Sequence, residues 1–164
     1  MQFDPINPNF WAIALLICTT VFSVLWFLDA LKHKELVKTD ITSNELRTHR
    51  NILISSGIME LALVAMFWFP LESLPFFIAA FITRTAHEFL DELKYHADRC
   101  SSYENFIHLG MWVTVLSKTI LQFIWGFFYQ YQGIETFDYG IYCWAGIVLL
   151  TMGITSFFEW KRGK

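Results

Sequence analysis

Apolar side chains run in five long stretches along this chain, and most charged residues gather between them. The stretches cover 9–31, 51–69, 74–95, 106–129 and 137–160, near the roughly 20 residues that cross about 30 Å of hydrocarbon as a helix. Asn7 and Pro8 read as the N-cap and first position of the first helix. Thr42-x-x-Glu45 and Ser101-x-x-Glu104 read as capping boxes ahead of the second and fourth. Pro70 ends the second. The third stretch differs from the rest: it turns polar on one side in its second half. The pattern predicts an all-α integral membrane protein, a five-transmembrane-helix up-and-down bundle that forms a single domain over 1–164.

Basic residues set the expected orientation. Lys32, Lys34, Lys38, Arg47 and Arg50 lie in the loop region 32–50, Lys94 and Arg99 between the third and fourth stretches, and Lys161, Arg162 and Lys164 after the fifth. The tail before residue 9 and the turns at 71–73 and 130–136 carry no Lys or Arg. Positive loops remain in the cytoplasm, so the N-terminus is expected outside and the C-terminus inside, in a multi-pass protein of the cell (inner) membrane. A tail without Lys or Arg also speaks against a cleaved signal peptide. Trp11, Trp68, Trp125 and Tyr139 would mark the outer interface, and Trp26, Tyr95 and Trp160 the inner one.

Composition agrees. The 164 residues are 55% hydrophobic and only 16% charged, with mean hydropathy +0.41, whereas a soluble domain is about a quarter charged. The apolar surplus exceeds what so small an interior can hide, which makes the lipid bilayer the first expected partner. A net charge of −3 and no basic block with interleaved aromatics exclude nucleic acid. Cys18, Cys100 and Cys143 form neither a CxxC nor a CxxH, so no disulfide framework or zinc knuckle is indicated.

Ionisable side chains within a span are costly, turn inward and point to function. On the third helix, Arg84, His87, Glu88, Asp91 and Tyr95 fall within about a third of the circumference. His87 and Asp91 are one turn apart, as are Glu104 and His108 on the next helix. That spacing lets one helix offer two ligands to one ion. The expected metal set is therefore His87, Glu88, Asp91, Glu104 and His108. Its mixed nitrogen and oxygen donors suit Zn, Fe or Mn. The arrangement approaches the helix-bundle di-iron pattern, but the Glu-x-x-His spacing of those sites is missing. His87-Glu88-x-x-Asp91 also lacks the second histidine of a zinc-protease HExxH. Glu60, Arg84 and Lys118 share one depth near the midplane and are expected to form a buried charge network, with Asp29 closing the first helix. His33, His49, Glu92, Lys94 and His96 read instead as a solvated cytoplasmic extension.

Three function classes follow. A small transporter or channel component for protons or metal cations would use Glu60, His87, Glu88, Asp91 and His108 as its cytoplasmic half. The outer half carries few polar side chains, so a pore would need a homo-oligomer. A membrane-embedded metalloenzyme acting on a lipid or quinone needs the same ligands plus an open coordination position. A haem b-binding or accessory subunit of a larger membrane complex would use His87 and His108 as axial ligands.

Overall fold

The computed structural model describes residues 7–36, 42–96 and 101–161. Cys100, Lys38, Arg99, Arg162 and Lys164 lie outside the described residues, as do the side chains of Lys32, His33 and Lys34. The protein is all-helical, and helices form in all five predicted segments: α1 Pro8–Leu36, α2 Ser43–Ala65, α3 Pro70–Asp91, α4 Ser102–Phe123 and α5 Tyr139–Lys161. No strand occurs among the described residues. Two helices continue as a wide π turn, α3 through Glu92–His96 and α4 through Ile124–Phe128.

Local signals explain the boundaries. Thr42 accepts a hydrogen bond from the Glu45 amide at 3.2 Å and opens α2. Ser101 and Glu104 make the complete reciprocal box that opens α4. Residues 71–73 are not a loop. Pro70 starts α3 directly after a short turn, because a proline ring is preset for the first helical position and the missing N–H is not needed there. The 32–50 region is likewise mostly helical: α1 runs on to Leu36 and α2 begins at Ser43.

Buried positions recur every three and four residues. On α1 the stripe is Ala12, Leu16, Thr19, Ser23 and Ala30; on α2 it is Glu45, Thr48, Ser55, Met59, Ala62 and Met66. On α3 it is Ser73, Ala80, Arg84 and Asp91, and on α4 His108, Val115, Lys118, Gln122 and Trp125. This is the seam spacing of nearly parallel or antiparallel helices in a four-helix bundle. α2 packs along α3, α1 along α4, and α5 leans mainly on α1. α5 buries only Val148 and Thr155. Side chains from the C-terminal parts of α1, α3 and α5 and the N-terminal parts of α2 and α4 meet at one end, so successive helices alternate in direction.

The outward faces are strongly apolar. Leu61, Leu71, Phe106, Leu109, Ile147 and Leu150 are all exposed. Among the described residues, three segments, Pro8–Leu31, Ser102–Phe128 and Tyr139–Lys161, are long and apolar enough to cross a membrane. α2 and α3 are less apolar because their inward stripes carry Glu45, Arg84 and Asp91.

The far end of the bundle holds the apolar core. Met59, Leu63, Met66 and Ala80 pack with Phe77, Phe81, Phe123 and Phe127. Phe77 stacks on Phe123 at 5.0 Å, and Phe123 on Phe127 at 5.2 Å. Trp11, Ala12, Trp125 and Tyr131 form a second cluster. Tyr131 holds a left-handed backbone, φ 53°, uncommon for a residue with a Cβ, and its phenol donates to the Leu63 carbonyl at 2.8 Å. Burial pushes that phenol up to about 12. Gly126 leaves room for the ring: a Cβ there would sit 2.7 Å from the Tyr131 Oη.

Candidate metal centre

The other end is built from charge. Glu45 stands in the first turn of α2 and His49 one turn later, so both project from one edge of that helix. Glu45 is fully buried. Asp91 ends α3, and His96 ends the π turn that follows. Five residues apart on an α-helix, the two would diverge by about 140°. The wider π turn returns the fifth residue to nearly the same side, and His96 Nε2 lies 3.7 Å from Asp91 Oδ2. His108 comes from the second turn of α4 and Asp29 from α1.

These groups form one connected cluster. His49 Nε2 is 3.1 Å from both carboxylate oxygens of Asp91. His96 Nε2 is 3.8 Å from Glu45 Oε1, and its Nδ1 is 3.3 Å from His108 Nδ1. The same His108 nitrogen is 2.9 Å from Glu92 Oε1, and the opposite one, Nε2, is 3.1 Å from Asp29 Oδ1. The His96 and His108 rings lie 4.8 Å apart. Two sets, Glu45–His49–His96 and Glu92–His96–His108, each place one donor atom per residue within 4.8 Å of the others. His96 is only 3% exposed and His108 6%, so these two rings are sequestered from bulk water, while His49 and Glu92 are partly open.

The cluster borders a cavity of about 300 Å³ whose wall is mostly apolar, with Phe22, Trp26, Met59, Met111, Trp112 and Val115 among its lining. Lys118 follows His108 by ten residues, about 15 Å along a helix. There it pairs with Glu60. Arg84 pairs with Glu88 and donates from Nε to Ser56 Oγ at 3.0 Å. Both pairs line the same cavity. The expected network of Glu60, Arg84 and Lys118 is thus two ion pairs rather than one. Arg50 covers the Trp160 ring at 5.5 Å on the cluster side.

Of the five residues expected to ligate a metal, Asp91 and His108 lie in the cluster. Glu88 reaches the cavity but is bound to Arg84. His87 meets Asn51, 3.2 Å from its Nε2, and Glu104 accepts from the Ser101 amide at 2.7 Å. His87, which the haem reading pairs with His108, lies outside the cavity lining, while His108 is part of it. His49 and His96 are not a solvated extension. The α2 stripe carries inward register through a polar stretch, and the π turn swings His96 inside. Glu45-x-x-x-His49 has the same one-turn spacing that pointed to Glu104 and His108, and was a readable signal.

No family model matches this chain, and neither a curated protein nor a solved structure does.

Proposed function

We propose that the chain is a five-span membrane metalloprotein whose metal centre faces an apolar-walled pocket and works on the polar end of an amphipathic, lipid- or quinone-like substrate. One observation carries the reading: His49, His96 and His108, with Asp29, Glu45, Asp91 and Glu92, converge from four helices on one end of a cavity whose remaining wall is largely apolar. α2 and α3 count as spans in this reading because their polar stripes are screened by neighbouring helices while Ile58, Leu61, Val64, Ile78 and Ile82 face outward. Arg47, Arg50, Lys94 and Lys161 sit at the metal end, which the positive-inside rule assigns to the cytoplasm of a cell (inner) membrane.

A bound divalent ion would supply a Lewis acid for a substrate oxygen or lower the pKa of a bound water. The protein's own part is to hold the donors, with Asp29 fixing the His108 ring from behind in a carboxylate–histidine arrangement. The apolar wall excludes water and receives the substrate's chain. The Glu60–Lys118 and Arg84–Glu88 pairs bound the pocket toward the aromatic end.

A cation carrier is the second reading. It is favoured by the buried charges that continue from the cluster to Glu60 and Lys118, and opposed by the stacked Phe77, Phe123 and Phe127 beyond them. Purified protein, stripped with chelator and offered Zn²⁺ or Mn²⁺, is expected to retain metal, and the double variant His49→Gln/His108→Gln to lose it. Metal-loaded protein incubated with a total membrane lipid extract is expected to give a mass-shifted lipid or quinone. Metal flux into proteoliposomes without such a product would favour the carrier. No retained metal would sink both.

A further inference from the structure

We infer that the cluster holds two divalent transition-metal ions, joined through the His96 imidazole. The inference rests on the metal reading above and adds a second ion and a bridge to it.

The two ring nitrogens of His96 face different donor sets. Glu45 Oε1 and Asp91 Oδ2 lie on the Nε2 side, at 3.8 and 3.7 Å. His108 Nδ1 lies on the Nδ1 side at 3.3 Å, with Glu92 Oε1 2.9 Å from that His108 nitrogen. An ion bonded at about 2.0–2.1 Å to one nitrogen of an imidazole is out of bonding reach of the other. One ion therefore cannot use both sets. Two donor atoms sharing an ion at such bond lengths are separated by at most about 4.2 Å, and all four distances fall inside that limit. The 3.3 Å gap between the His96 and His108 nitrogens is close to the span of a tetrahedral pair.

Asp29 on the far nitrogen of His108 leaves Nδ1 as the metal-facing atom, as the outer carboxylate does in carboxylate–histidine–metal chains. His49 and Asp91 complete the first set through atoms 3.1 Å apart. Bridging requires both His96 nitrogens to carry lone pairs, so the ring N–H proton leaves to solvent as the second ion binds. The π turn at Glu92–His96 gives the device its shape: it folds His96 back so that Asp91 lies on its Nε2 side and Glu92, the next residue, on the side of Nδ1.

The test uses full-length protein in detergent, stripped and titrated with Cu²⁺, the tightest-binding of the common divalent ions for such donors. Two equivalents bound per chain, with most of the copper EPR intensity lost through coupling across the imidazolate, is the expected result. The double variant His49→Gln/Asp91→Asn, which leaves the first ion only Glu45 and His96, is expected to bind one equivalent with full EPR intensity, since the Glu92–His96–His108 set survives. One equivalent in the unaltered protein, or two with full intensity, overturns the bridge while leaving the metal reading standing. No binding at all overturns both.

Discussion

The two ends of this bundle are made from the same four helices with the same spacing of inward positions, yet they are filled in opposite ways. At one end the stripe carries Glu45, His49, Asp91, His96 and His108 beside an open cavity; at the other it carries Met59, Leu63, Met66 and Phe77 packed without charge. The backbone is indifferent to this choice. The difference is in what the side chains can tolerate. Apolar side chains gain by closing on each other, whereas a carboxylate–imidazole cluster needs partners and leaves room for a guest. Substitutions at the aromatic end should therefore move stability, and those at the charged end should move metal affinity.

Glu60 lies at the boundary and gives the largest expected effect. Glu60→Ala strands the buried Lys118 ammonium; because Glu60 is itself 35% exposed and partly screened, the loss should be at the low end for breaking a buried pair, about 3 kcal/mol. Thermal unfolding of the detergent-solubilised protein would read this, and Glu60→Leu/Lys118→Met should recover most of it. Equal loss in the double variant would refute the paired description. Next is Leu63→Ala in the aromatic end, where the side chain is fully buried; about 3 kcal/mol of stability should go, with metal affinity unchanged. A parallel loss of metal would erase the division between the ends.

Asp29→Asn probes the other side of the contrast. Removing an outer carboxylate behind a ligating histidine lowers metal affinity about 10–100-fold. The melting temperature of the metal-free protein should fall less than with Glu60→Ala, because the Asn oxygen can still accept from His108 and Glu92 still faces that ring. The smallest effect is expected for Tyr131→Phe, which loses the bond to the Leu63 carbonyl and about 1 kcal/mol, read in the same unfolding assay. A much larger loss would mean that Tyr131 holds the helices apart from its hydrogen bond.

The helices were legible because apolar length and period state them directly, and the polar edge of α3 was legible because Arg84, Glu88 and Asp91 interrupt an apolar run. His49 reads as solvated because it lies in a polar segment near a helix end. Yet α2 keeps its inward register from Glu45 through Met66, and extending the three-and-four spacing backwards would have placed it. His96 was not readable in this way. Projection at 100° per residue turns it away from Asp91, and the π turn that reverses this has no composition signal in Glu92-Leu93-Lys94-Tyr95-His96. His87 misled for the converse reason: its spacing to Asp91 is right for two ligands, but Asn51 on the facing helix already engages its ring.

The proposed ligands are strung between positions 29 and 108, while α5 gives Met152, Ser156 and Glu159 to the cavity wall and no residue to the two donor sets. In a chain threaded into a bilayer from its N-terminus, the proposed centre would lack His108 until the fourth helix has entered, and its two donor sets would be complete before the fifth arrives. Metal capture would then mark a checkpoint in biogenesis: a nascent chain stalled before α4 lacks His108, and one stalled after it already has the whole donor set.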